Sequence, residues 1–339
     1  MNPDLLFKLL GVEGISGSEE LVRNLIQKEI KPYVDSMRVD KMGNLICVKS
    51  GKKPHVMLAA HMDEVGLMVK GITEDGLIGL AEVGGLNPSS LVGQRVKIMG
   101  KKPVNGVIST KKISNDWEIE IDEKMDLHDL FIDTGLKKRE LSKNGVMVGS
   151  PIALLQQNGF LGSKEIVCGK ALDDRLGCFI LLELARQLKK SKTEITYVFT
   201  VQEEIGLYGA KTSVYHINPD WSIVVDVSNA HDAKNENATK FLGSGPTLTI
   251  MDTEMLGSRP LNEWLSKVAK KNRIPLQPEV SSTGTTDALS IAFSKEGVPT
   301  SMVGVAVRNL HTTVGICHLQ DIENCIKLLK IALEKPVIL

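Results

Sequence analysis

The sequence predicts an α/β protein, a mostly parallel sheet flanked by helices, with a small β-rich domain inserted into it. Three observations carry that expectation. Apolar, strand-like runs alternate with helix-length segments near both ends of the chain, the pattern of a parallel sheet with crossover helices. Between residues 65 and 163 the texture changes to short β-like runs separated by Gly and Lys, as in a compact β domain. Polar residues with metal-ligating chemistry stand just after strand-like runs on both sides of that block, so the block interrupts one unit rather than ending it.

The elements follow in order. Residues 3–33 read as two helices: Leu5, Leu6, Leu9 and Leu10 form one apolar stripe, and Ser16-Gly17-Ser18-Glu19 has the spacing of a capping box ahead of Leu21, Val22, Leu25 and Ile26. Residues 45–48 read as a strand, and residues 56–60 as a buried strand ending at His61. In the inserted block the runs are 67–69, 77–80, 95–98, 107–109, 117–121, 130–132 and 152–155, with no helical periodicity between them. Residues 174–190 read as a strong amphipathic helix, with Leu176, Phe179, Ile180, Leu182, Leu184 and Leu188 on its apolar side. A strand over 195–201, a helix near 206–214 and a strand over 221–226 come next. A polar, Asn-rich loop, 230–246, leads to a strand over 247–250 and a helix over 260–272. A helix over 288–295, a strand over 300–305, a loop with His311 and a helix over 321–334 close the chain. The expected division is therefore 1–64 with 164–339 as the α/β unit, and 65–163 as the insert.

Composition narrows the function. Of 339 residues, 42% are hydrophobic, enough for a sizeable core, and Lys plus Arg balance Asp plus Glu at 41 each. Basic residues are scattered, which argues against nucleic acid as a partner. A neutral chain of this size favours a specific homo-oligomer. Five cysteines without a Cys-x-x-Cys pair argue against a disulfide framework, the first residues lack the basic start and apolar core of a signal peptide, and no apolar stretch spans a bilayer. A cytoplasmic protein without a membrane partner is the expectation.

The candidate site gathers from five segments. Functional groups of open α/β sheets collect beyond the carboxyl ends of the strands, where His61, Glu203-Glu204 and Asp226 stand. His61 and Asp63 are two apart on extended backbone and share a face, so one can ligate a metal while the other orients the imidazole. Asp173 and Asp174 open a long helix, where one can cap and the other can bridge two ions roughly 3.5–4 Å apart. Glu203 and Glu204 point different ways on an extended chain, so one can bind metal while its neighbour serves as a base. Asp226 ends an apolar strand and needs a partner, and His311 lies in a loop with no periodicity to bury it. His318 and His231 are weaker ligand candidates, while His55, His128 and His216 look like surface residues. Each of these has an ordinary structural reading alone; their convergence points to a two-metal hydrolase. There is no nucleophile elbow, P-loop, dinucleotide fingerprint or His-Glu-x-x-His.

At Ala60-His-Met-Asp-Glu-Val-Gly66, Lys170-Ala-Leu-Asp-Asp-Arg175, Gln202-Glu-Glu-Ile-Gly206, Val225-Asp-Val227, Gly284-Thr-Thr-Asp-Ala288 and the His311 loop, the chain resembles the M42 metallo-aminopeptidases, which include the tetrahedral (TET) enzymes. The resemblance implies that Asp173 bridges two divalent ions, Zn or Co, with His61, Glu204, Asp226 and His311 completing the ligands, Glu203 as general base and Asp63 orienting His61. It also implies a barrel-like, PDZ-resembling insert that drives assembly from dimers to dodecamers, and peptides with a free amino terminus as substrates. The chain departs from the family's Arg-Tyr-x-His-Ser with Arg308-Asn-Leu-His311-Thr, which keeps the ligand and loses the aromatic. Two rivals remain: an N-acyl amino-acid deacylase of related chemistry, and an assembly subunit that binds metal without catalysis. A glycosidase is disfavoured, because that chemistry needs two carboxylates and no metal ligands.

Overall fold

A computed structural model describes residues 1–113, 119, 125–189, 191–233 and 237–339. Two helices, α1 (Pro3–Gly11) and α2 (Glu20–Ile30), precede strands β1 (Ser36–Val39), β2 (Leu45–Lys49) and β3 (Lys52–His61). Six strands then close into a barrel in the order β4-β5-β8-β7-β6-β9. They are β4 (Gly66–Ile72), β5 (Ile78–Val83), β6 (Arg95–Ile98), β7 (Val104–Thr110), β8 (Leu130–Asp133) and β9 (Pro151–Leu154), with the short helix α3 (Lys138–Lys143) between the last two. Its interior is a separate apolar cluster that includes Leu67, Val96, Ile132 and Ile152. The expected run 117–121 lies outside the described residues apart from Ile119.

The chain returns to the main sheet through β10 (Gly159–Phe160) and β11 (Ile166–Gly169). It continues through α4 (Leu172–Gln187), β12 (Thr193–Thr200), α5 (Tyr208–Ile217), β13 (Trp221–Asn229), β14 (Thr247–Met251), α6 (Arg259–Lys271), β15 (Gln277–Val280), α7 (Asp287–Ala292), β16 (Thr300–Arg308), β17 (Gly315–His318) and α8 (Leu319–Glu334). The central strands β12, β3, β13 and β16 are parallel, and antiparallel strands extend both edges. This is the expected α/β class with a β-rich insert.

Alternation along β3 shows how the sheet is held. Val56, Leu58 and Ala60 face a core shared with α1, α2, α4, α6 and α8, while Met57 and Ala59 face a second core with α5 and α7. Three expectations are corrected. The segment expected as amphipathic is enclosed: every residue from Asp174 to Ala185 is buried, because α4 lies between the sheet and α1, α2 and α8. The capping box does not form; Glu19 precedes the helix without capping it, and the Ser16 hydroxyl instead donates to Asp63 at 2.6 Å. Strand β13 does not end at Asp226 but runs three residues on, paired with β16. Strands β15 and β17 were unexpected, since each is four residues long and neither carries an apolar run. The five cysteines are all free, and among the described residues no helix is long and apolar enough to cross a membrane.

Candidate metal centre

Parallel pairing sets the register of the site. His61 lies opposite Thr200 where β3 and β12 end, and Asp226 lies on β13, which pairs with β3 on its other side. His61 is 2% exposed. Its Nδ1 lies 3.2 Å from the Asp63 carbonyl, and a carbonyl only accepts, so Nδ1 carries the proton. That turns Nε2 inward, 2.9 Å from Asp173 Oδ1 and 3.9 Å from Asp226 Oδ1. On the other side His311 Nε2 faces Asp173 Oδ2 at 3.4 Å and Glu204 Oε2 at 3.6 Å. Asp173 thus presents one carboxylate oxygen to each imidazole.

The chain is bent locally to allow this. Regular helical geometry in α4 begins only after Asp174, whose carboxylate accepts the Gly177 N–H at 2.9 Å, an N-cap contact, and the His61 N–H at 3.2 Å. Its neighbour Asp173 is left free to face the two histidines. Ala171, Gln202, Leu207, Asn309 and His311 all have left-handed φ, and they flank the site on three loops. Such backbone costs about 1–3 kcal/mol per residue and tends to collect at functional sites.

Glu203 Oε2 lies 4.0 Å from His61 Nε2. The ligand-capable atoms of His61, Glu203 and Asp226 all lie within 4.8 Å of one another, as do those of His61, Asp173 and Glu204. Asp63 does more than the sequence suggested. Its Oδ1 stands 3.5 Å from His61 Nδ1 and accepts the Glu203 N–H at 3.0 Å, while Oδ2 accepts the Glu204 N–H at 3.1 Å. One fully buried carboxylate therefore fixes the histidine and both glutamates.

Electrostatics show a surplus of negative charge. Burial, with Asp173 alongside, pushes the Glu204 carboxyl up to about 8. Burial likewise lifts Asp226 to about 7 and Asp287 to about 6, and it raises Glu203 well above the usual carboxylate range. The hydrogen bond to Asp173 raises His311 to about 9. Burial opposes a charge on His61, but Glu203 and Asp173 outweigh it and raise its proton affinity. Buried Glu204 Oε1 has no hydrogen-bond partner among the described residues. An all nitrogen-and-oxygen donor set, excess negative charge and an orphaned carboxylate oxygen fit divalent cations. The thiol nearby, Cys178, points away and donates to the His61 carbonyl at 3.1 Å.

All seven residues singled out from the sequence, His61, Asp63, Asp173, Glu203, Glu204, Asp226 and His311, meet at this one place. The weaker candidates do not: His318 caps α8, and His231 lies in a separate surface pocket. Sequence reasoning missed other contributors. Asp287 is buried, accepts the Thr200 hydroxyl at 2.5 Å and adds to the charge around Glu203; its place in Gly284-Thr-Thr-Asp-Ala288 was the available signal. Gly84 and Gly85 bring the barrel against the site, for a β-carbon at Gly84 would stand 3.3 Å from Glu204 Cβ, and one at Gly85 3.1 Å from His311 Nδ1. Buried Lys170 pairs with Glu64 at 2.6 Å, with Arg175 3.4 Å from the same carboxylate, and together they tie the α1–α2 connection to the Asp173 segment. A cavity of about 550 Å³ opens beside His61, Asp226 and His311. Lys240 comes from the Asn-rich loop and Leu310 from the His311 loop, but residues 279–286 form more of its wall.

Comparison with known proteins follows this geometry. The sequence profile of the M42 glutamyl aminopeptidases matches residues 43–328. The lysyl aminopeptidase of Pyrococcus furiosus is 34% identical over 338 residues, covering 98% of this chain and 96% of the relative. The structure of aminopeptidase APDkam598 from Desulfurococcus kamchatkensis superposes with a TM-score of 0.93 at 34% identity, covering 98% and 94% of the two chains. The TET1 peptidase of Pyrococcus horikoshii, described as able to assemble into a tetrahedron or a large octahedral shell, gives 0.86 at 30% identity, with 98% and 99% covered.

Proposed function

The chain belongs to the M42 glutamyl aminopeptidase family, and on that premise we propose that it is a metal-dependent aminopeptidase holding two divalent ions. The observation that carries this reading is Asp173, whose two carboxylate oxygens each face a different imidazole. His61 and Asp226 would complete one half-site, and His311 and Glu204 the other. When bound, the ions would lower the pKa of a water and polarise the scissile carbonyl. Glu203 is the carboxylate left over. It takes a proton from the attacking water at a carboxylate oxygen, then returns it to the departing amine as the C–N bond breaks. Asp63 keeps Nε2 of His61 inward and holds the Glu203-Glu204 backbone, so Glu203 stays at a set distance from the centre.

The surplus of carboxylates favours a substrate with a cationic α-ammonium over one whose amine is acylated. That preference separates an aminopeptidase from the deacylase alternative. The presence of Glu203 argues against an idle, metal-binding assembly subunit. The barrel, with its own core, would act as the assembly domain of a homo-oligomer built over residues 65–163; Met147 and Val148 expose apolar side chains on it. Free thiols agree with a reducing, cytoplasmic setting.

The test uses protein stripped by chelation and reloaded with Zn or Co, assayed on aminoacyl-anilides with free or acetylated amines. The expected result is turnover only with metal and only on the free amine. Full turnover by the stripped protein, or a preference for acetylated substrates, would overturn the reading.

A further inference from the structure

Beyond the metal-facing groups the cavity is also lined by Ser228, Thr249 and Met302 and by Ser281 and Thr283–Thr286. Most residues in its wall carry hydroxyl or charged groups, with Leu207, Val227, Met302 and Leu310 as the apolar side chains, but carbon supplies more of its exposed surface than nitrogen and oxygen.

Three charged residues stand in this wall away from the metal-facing cluster. Lys240 Nζ pairs with Glu279 Oε1, and the Ser228 hydroxyl donates to Oε2 at 2.7 Å, so this pair is neutral and closed. Asp252 is different. It is 7% exposed, and its Oδ1 accepts the Glu254 and Met255 N–H groups at 2.9 and 2.7 Å. Among the described residues its Oδ2 is buried without a partner, and so is Thr285 Oγ1 in the same wall. The wall therefore carries two carboxylates against one ammonium, with one carboxylate oxygen unmatched. The uncompensated negative charge of this wall favours an ammonium or guanidinium on the ligand, and a donor that reached Oδ2 would satisfy it. An acidic side chain would have to take Lys240 from Glu279 while facing Asp252.

We propose that Asp252, helped by Thr285, selects substrates whose amino-terminal residue has a cationic side chain, lysine or arginine. The proposal rests on the aminopeptidase reading and names its substrate class. The test uses the full, metal-loaded chain and the anilides of Lys, Arg, Leu and Glu. The expected result is kcat/KM for Lys and Arg at least about tenfold above Leu and Glu, the lower span of one charge-assisted contact. Asp252→Asn keeps the Oδ1 acceptor that holds the turn, and it is expected to shrink the Lys-to-Leu ratio by about 10–100-fold. Lys240→Met, which removes the opposing cation, is expected to raise the Lys-to-Glu ratio, so the idea stays testable if Asp252→Asn does not fold. An active enzyme that prefers Leu or Glu, or an Asp252→Asn variant with an unchanged ratio, overturns the proposal alone. A metal-loaded protein that cleaves none of the anilides overturns the aminopeptidase reading, and the proposal with it.

Discussion

Gly85→Ala tests whether the barrel helps to hold the metal centre. Gly85 is not among the residues with left-handed φ, so alanine suits its backbone. The added methyl would stand 3.1 Å from His311 Nδ1 and 3.7 Å from Cε1. Carbon contacts are most favourable near 3.5–4.0 Å, so the ring must retreat by roughly half an ångström. The opposite ring nitrogen, now 3.4 Å from Asp173 Oδ2 and 3.6 Å from Glu204 Oε2, would move with it. Metal–ligand distances tolerate only about 0.2 Å, and losing the orientation of a ligating histidine typically lowers affinity about 10–100-fold. The His61 half-site lies across Asp173 and would not shift. Calorimetric titration of chelator-stripped protein with Zn should therefore show one tight site unchanged and one weakened by that factor. Two sites of unaltered affinity would refute the reasoning, as would equal weakening of both.

Further predictions follow from the same geometry. Glu203→Gln is nearly isosteric and leaves the backbone bond to Asp63 intact; it should keep metal and fold but lose about 10²–10⁴-fold in kcat, measured on an anilide with metal saturating. Lys170→Met would leave Glu64 buried with Arg175 and the Gly14 N–H as its remaining partners; urea unfolding should show a loss of about 3 kcal/mol, the low end for breaking a buried pair, and an unchanged midpoint would discount the pairing. The stability of stripped protein should also depend on pH. Asp226, Glu204 and His311 have folded pKa values raised to about 7, 8 and 9, so each binds its proton more tightly folded than unfolded. Their stabilisation is full below the unfolded values and is lost as pH rises through the folded ones. The Tm of stripped protein should fall between about pH 6 and 9 and that of the Zn-loaded protein should fall less; a stripped Tm that rises over this range would contradict the electrostatics.

Much of the site was legible because several ligating residues each stand straight after an apolar strand, and that convergence has few ordinary explanations. His61 after residues 56–60 and Glu203-Glu204 after β12 were found this way, and parallel pairing brings them together. The split between Asp173 and Asp174 was legible only as a pair of roles. Their assignment depends on the local backbone, which turns Asp174 onto the Gly177 N–H. Helix α4 misled because its polar members, Arg175 and Glu183, are buried by tertiary packing that periodicity does not report. Asp63 reads as one carboxylate beside one histidine, yet it also holds two distant segments, through bonds that span 47 residues to Ser16 and 140 and 141 residues to Glu203 and Glu204. Gly84, Gly85 and Asp252 gave no local signal, since their importance lies in what stands opposite them in space.

Metal stoichiometry tests the central claim most directly. Stripped protein titrated with Co or Zn, with anilide hydrolysis followed at each addition, should bind two ions per chain and reach full activity only as the second is taken up. Asp173→Asn should weaken both sites at once. Full activity without metal, or independent loss of a single site in Asp173→Asn, would contradict a shared centre bridged by that carboxylate.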